Sequence, residues 1–441
     1  MHFNVFRSCG SLARASAPCY PPASARAGGP ATRPPTHGVR DPFKLRILFL
    51  AHRIPFPPQK GDKVRAFNEL RVLAGRHEVH LIALSEDPRD LDPPRELRAL
   101  CAGVRVVLRP RFRSAARGGA ALALGRSYSE GAFSSPEARR AAAEWGRKEP
   151  FGAVFAFSSS MAPHALAARA GRRILDLVDV DSEKIAAYAA RASGPRRALY
   201  SLEARRLRAL ERESLRKFDA CLVVTGDEAA LAARLFPGEP RVIAVENGVD
   251  LEYFRPAASL PEGAEIVFTG AMDYPPNVDA ALWFAASVLP RVRESVPGAR
   301  FSIVGREPAP RLRALESGAV RVTGTVPDVR PYLAAARVAV APLRIARGIQ
   351  NKVLEAMASG VPVVASPGAH AGVDAVPGEH LLVAEGEAGF AAAVVRCLTD
   401  AGLSERLRRA ARARVENRYS WERNLRPILD LVEGSSPGSA T

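Results

Sequence analysis

Two residues of opposite charge, Lys352 and Glu355, stand three apart in the run Arg347-Gly348-Ile349-Gln350-Asn351-Lys352-Val353-Leu354-Glu355. An apolar run at 338–343 precedes them, and Gly360 followed by a second apolar run closes the unit. This reads as strand, loop, helix and strand, with the helix opening near Asn351. A helix start offers unpaired N–H groups to an anion, and Lys352 adds a cation there. Glu355, one turn in, is placed to accept hydrogen bonds from a ribose diol. The pair suits a nucleotide held without metal.

A second candidate is the loop His52-Arg53-Ile54-Pro55-Phe56-Pro57-Pro58-Gln59-Lys60-Gly61-Asp62-Lys63-Val64-Arg65. Gly61 permits close backbone approach, and Lys60, Lys63 and Arg65 bring positive charge to a helix start. The pattern is neither GxGxxG nor GxxxxGK[ST], and a solvated, proline-stiffened loop reads from the same letters. Asp179-Val180-Asp181 ends another apolar run. It has the DxD spacing of a metal–nucleotide site, and equally suits the start of a helix near Ser182. His77 and His80 straddle a strand start, which points their imidazoles apart. His164 follows a predicted strand end. No GxSxG is present.

These residues need positioning elements, and the chain supplies them in alternation. Apolar strands are expected at 45–51, 79–84, 104–108, 153–157, 173–178 and 220–224. A second set is expected at 265–269, 300–304, 320–323, 338–341 and 361–365. Helical spacing separates most of them, as in Val64, Phe67, Leu70 and Leu73. Such alternation predicts α/β architecture with parallel sheets, whose ligands bind at the carboxyl ends of strands. The expected organisation is a disordered tail at 1–43, a first domain at 44–235 and a linker at 236–264. A second domain follows at 265–415, with a terminal helix and tail at 416–441.

Composition narrows the class. The chain has 441 residues, 47% hydrophobic and 25% charged, the balance of a soluble globular protein. No apolar run nears the ~20 residues that span a bilayer. The segment 1–43 gathers no signal-peptide core. Five scattered cysteines argue against a disulfide framework or structural zinc and fit a reducing cytoplasm. The net charge of +17 favours anionic partners: nucleic acid, acidic lipid or phosphorylated substrates. The basic stretch 196–218 reads either as a helix lying on anionic lipid or as a packed helix with a solvated face. The basic stretches lack interleaved aromatic residues, which argues against nucleic acid.

The Lys352–Glu355 segment resembles the nucleotide-sugar signature of retaining glycosyltransferases of family 4. Matching pieces extend over 45–432: Glu246-Asn247-Gly248-Val249-Asp250, Val267-Phe268-Thr269-Gly270 through Asn277, Ile303-Val304-Gly305 and Gly324-Thr325-Val326-Pro327-Asp328. HRIPFPPQKGDKVR and ARGIQNKVLEAMASG together are similar to a sugar transferase subfamily associated with PEP-CTERM/exosortase and exopolysaccharide loci. The resemblance implies two Rossmann-like domains facing across a cleft (the B-type fold), the C-terminal helix returning to the first domain. It implies a retaining, metal-independent transferase with a UDP-, GDP- or ADP-sugar as substrate, no cofactor, and a glycan or lipid-linked acceptor. It puts Gly270, Asn277, Gly305, Val326, Gly348, Gln350, Asn351 and Glu355 on the donor, with Glu355, Lys352 and Arg347 catalytic. Lys60, Gly61, Lys63, Arg65, Asp179 and Asp181 fall on the phosphate or acceptor side. Arg347 departs from the pattern, since many members carry a glutamate there. The expected location is cytoplasmic, in peripheral contact with the inner membrane face. A nucleotide-sugar 2-epimerase of the same fold and an inactive basic scaffold are the alternatives.

Overall fold

The computed structural model describes residues 44–58, 61–240, 242–346 and 349–434. The expected tail at 1–43, together with Lys60, Arg347 and Gly348, lies outside these. The chain divides into two compact units. One runs to Asn247 and resumes at Glu422; the other is Gly248–Trp421.

The first unit is built on seven strands, all paired in parallel: β1 (Arg46–Ala51), β2 (Glu78–Ser85), β3 (Gly103–Leu108), β4 (Phe151–Phe157), β5 (Ala170–Val178), β6 (Ala220–Val223) and β7 (Val242–Ala244). Their order is β3-β2-β1-β4-β5-β6-β7. The central strands β1 and β4 are almost wholly apolar and buried because helices cover both faces of a parallel sheet. The helices used below are α1 (Gly61–Ala74), α2 (Arg111–Ala123), α3 (Tyr128–Phe133), α4 (Asp181–Arg191), α5 (Gly194–Lys217) and α6 (Gly226–Leu235).

The second unit carries β8 (Glu265–Thr269), β9 (Arg300–Val304), β10 (Val320–Gly324), β11 (Val338–Ala341), β12 (Val363–Ala365) and β13 (Leu382–Val383), ordered β10-β9-β8-β11-β12-β13. Helix α7 (Asn351–Ala358) joins β11 to β12, and α8 (Ala401–Arg418) packs on α7. Gly360 ends α7 with φ +64°, a left-handed conformation that costs glycine little. The return of the chain to the first unit is real. Ile428, Leu429 and Val432 of α9 (Arg426–Glu433) are buried there, Asn424 Nδ2 donates to Asn247 O at 3.0 Å, and Glu433 meets His77 Nε2 at 3.2 Å.

Two strands escaped the pattern reading. β7 falls inside the stretch 236–264 expected as linker, and β13 has only two residues. Both are edge strands too short for a periodicity to register.

Candidate active site

In the second unit, four expected donor-side residues converge at the carboxyl ends of β8 and β9 and the start of α7. Lys352 Nζ donates to Asn277 Oδ1 at 3.1 Å, and Asn277 Nδ2 donates to Ala271 O at 2.9 Å. A Cβ on Gly270 would lie 2.7 Å from Asn277 Nδ2 and 3.5 Å from Lys352 Cε. One on Gly305 would lie 1.6 Å from Gly270 O. Both glycines are therefore demanded by close approach, which brings two strand-end loops together beneath the lysine.

Burial lowers Lys352 to about 8, with Glu355 pulling the other way, and raises Glu355 to about 7 against the pull of Lys352. Each charge is thus poorly solvated where it stands. An anion near Lys352 and a hydroxyl donor near Glu355 would relieve both. Beneath the lysine, the Phe268 ring centroid is 5.6 Å from Nζ.

Gln350 and Asn351 flank this lysine at the opening of α7, and Gln350 Oε1 lies 3.5 Å from its Nζ. Val326 sits in the loop after β10, half-buried against the core. That loop is braced by Asp328, which accepts from Tyr253 Oη at 3.0 Å and is forked by Arg330.

Sequence reasoning passed over Arg306. It follows Gly305 directly, its backbone carbonyl accepts from Met272 N, and its Nη2 lies 3.5 Å from Asp273. A second cation, this one a guanidinium, thus reaches the loop after Gly270, where the segment itself offers no base. The available signal was its place immediately after a strand-end glycine.

The first unit rearranges the expected phosphate or acceptor side. Arg65 is not a surface cation: it is 1% exposed. Its Nε donates to Asp176 Oδ2 at 2.6 Å and lies 3.0 Å from Glu69 Oε1, while Nη1 serves Val245 O and Asn247 Oδ1. Burial opposes its charge, but Asp176 and Glu69 outweigh that and hold its pKa above the ordinary value. Glu69 is pushed well above the carboxylate range, by burial and then by Asp176. Arg65 therefore bolts α1 to β5 and the segment before Gly248. In the structure Arg65 lies on the inward face of α1 with Ala66, Glu69 and Leu70, not on the solvent side expected of a surface cation.

Gly61 and Lys63 do open α1, and Asp62 gathers His52 Nε2 at 3.5 Å and Arg53 Nη1 at 3.4 Å. His52 stacks on Phe157 with centroids 5.7 Å apart.

Asp179 and Asp181 lie at the carboxyl end of β5, after Val178 at φ +68°. Neither side chain caps α4. Glu228 of α6 accepts from Val180 N at 2.9 Å and Glu211 of α5 from Ser182 N at 3.0 Å, so the alternative reading of a local Asp cap does not hold. Asp181 pairs with Lys184, and burial raises Asp179 to about 6. Among the described residues no three His, Cys, Asp or Glu side chains converge to hold a metal ion.

His164, His77 and His80 are held within the fold. His164 is buried, accepts from Ser135 N at 3.0 Å and is lowered to about 4 by burial. His77 meets α9, and His80 lies between Glu78 and Arg46.

Comparison with known proteins bears on the two units of the chain. Residues 63–248 match the family described as glycosyl transferase 4-like domain, and 263–400 match glycosyl transferases group 1. The glycogen synthase of Mycobacterium tuberculosis is 28% identical over 265 residues, which is 53% of this chain and 62% of that protein. The match therefore spans less than two thirds of that relative's length.

Among solved structures, sucrose-phosphate synthase from Thermosynechococcus elongatus has a TM-score of 0.67 at 17% identity, covering 89% of this chain and 99% of that one. Anabaena HepE in complex with UDP and glucose has a TM-score of 0.63 at 14% identity, covering 88% and 100%. At such identities the likeness shows the fold, two parallel-sheet α/β units of the B type. The chain carries the 4-like and group 1 domains of the glycosyltransferases.

Proposed function

We propose that this protein transfers a sugar from a nucleotide diphosphate donor to a glycan or lipid-linked acceptor, retaining anomeric configuration without a bound metal. The observation that carries the reading is Lys352, held at the start of α7 above Gly270, Gly305 and Asn277, with Glu355 one turn on. Lys352, Arg306 and the α7 N–H groups would balance the leaving diphosphate, and Glu355 would accept from the ribose. By the same resemblance Arg347 and Gly348 belong to the donor side and Lys60 to the phosphate or acceptor side. Exopolysaccharide assembly, with an exosortase-associated role, at the cytoplasmic membrane face is the setting we favour. No helix among the described residues is long and apolar enough to cross a membrane, so such contact would be peripheral.

The test is nucleotide release screened over UDP-, GDP- and ADP-sugars, with and without membrane extract, in EDTA and in manganese. Expected is release with one nucleotide class that needs acceptor extract and survives EDTA. An epimeric nucleotide-sugar formed without acceptor and without net nucleotide release would establish the epimerase instead. Activity that vanishes in EDTA and returns with manganese would overturn metal independence.

A further inference from the structure

Helix α2 is packed inside out. Its inward residues, Ser114, Gly118 and Ala121, are small, and a Cβ on Gly118 would lie 2.4 Å from the Tyr128 ring. Its outward face carries Phe112, Ala116, Ala120 and Ala123, with Leu124 and Arg113 along one flank. Phe112 is 71% and Leu124 78% exposed, the two most exposed large hydrophobic side chains among the described residues. A helix on the surface of a water-soluble domain normally turns such residues inward.

Charge selects the occupant of this face. From Leu97 to Ser129 the sequence has no carboxylate and seven arginines. Arg109 and Arg111 share Glu86, and Arg126 pairs with Glu130. Arg113 lies over the Phe112 ring and Arg117 donates to Ser134 O, neither facing a carboxylate among the described residues.

Helix α5, the basic stretch that read either as a lipid-facing or as a packed helix, supports this face. Arg206 caps the end of α2 through Leu122 O and Arg126 O, and Glu203 accepts from Ser127 Oγ and the Tyr128 and Ser129 N–H groups. Two further arginines of α5 are paired with carboxylates, Arg208 with Glu183 and Arg216 with Glu239.

We propose that α2 is a docking face for an anionic lipid bilayer, with Phe112 and Leu124 entering the headgroup boundary and Arg113 and Arg117 meeting lipid phosphates. The inference deepens the membrane part of the reading above and rests on it for the identity of the acceptor.

The full chain should co-sediment with phosphatidylglycerol vesicles at 0.1 M salt, ignore phosphatidylcholine vesicles and be released at 1 M salt. Phe112→Ser with Leu124→Ser should lower partitioning at least about tenfold. Arg113→Gln and Arg117→Gln should each lower it about fivefold, whereas Arg205→Gln with Arg216→Gln should change it little. Tryptophan emission of the Phe112→Trp variant should shift to the blue on vesicle addition.

A parent that ignores anionic vesicles overturns the proposal and leaves the face to a protein partner. So does a Phe112→Ser, Leu124→Ser variant that binds as well as the parent, or a Phe112→Trp variant that binds vesicles with its emission unmoved. Glu355→Gln should bind vesicles normally, so failure of the transfer reading and failure of this one are separable.

Discussion

Glu355 and Lys352 are shifted in opposite directions by the same burial, which gives each a measurable signature. Glu355→Gln keeps size and removes an acceptor charge worth roughly 1.5–3 kcal/mol in a hydrogen bond. Donor affinity by calorimetry should fall about ten- to a hundredfold. Stability should show a pH signature as well. The folded carboxyl is raised to about 7 from an ordinary 4.5, so its contribution is whole below the lower value and lost as pH rises through 7. Lys352, lowered to about 8 from 10.5, contributes above the higher value and loses this as pH falls through 8. Between pH 5 and pH 8 urea unfolding should therefore shift in favour of Glu355→Gln by ~2 kcal/mol relative to the parent. A pH-independent difference would mean Glu355 is solvated.

Arg65 gives the contrasting case. Arg65→Met strands Asp176 in the core and should cost about 3–5 kcal/mol in urea unfolding. A loss of donor affinity without loss of stability would instead make it a ligand contact.

At the scale of elements, helix starts are held by distant carboxylates. Val180 N and Ser182 N at the head of α4 depend on Glu228 and Glu211 from other helices. Glu228→Ala leaves a buried N–H unpaired and should cost about 1–3 kcal/mol, read by urea unfolding. It should also loosen Asp179 and Asp181 together, seen as faster amide exchange at the head of α4. Glu211, pushed up to about 8 by burial, continues to accept from Ser182 N. The DxD letters alone suggested a local cap, because capping from helices far along the chain leaves no trace in a window of sequence.

The whole molecule puts the proposed donor chemistry in Gly248–Trp421 and the proposed bilayer face in the other unit. Saturating UDP should therefore slow amide exchange in peptides covering 266–278, 303–307 and 350–358, and leave 111–126 unchanged. At a hundredfold excess over Kd, binding adds ~2.7 kcal/mol to the unit that holds it. Anionic vesicles should protect 111–126 and leave the donor peptides alone. Protection by UDP confined to the first unit would remove Lys352 and Glu355 from the donor site.

What the sequence determined is what depends on near neighbours. Apolar runs made the central strands of both sheets legible, because both faces of a parallel strand are covered and its positions must be apolar. The order Asn351, Lys352, Glu355, Gly360 marked the start and stop of α7, because capping and left-handed glycine are local demands. Tertiary structure alone decided which charges face ligand and which face protein. Arg65 and Arg206 look as solvated in sequence as Arg113 does, and only packing shows the first sealed against Asp176 and the second capping α2. The contact of Gly305 with Gly270 spans two strand ends, and the outward Phe112 depends on Tyr128 filling the space behind Gly118. Such relations are set by three-dimensional proximity and desolvation, which linear spacing does not carry.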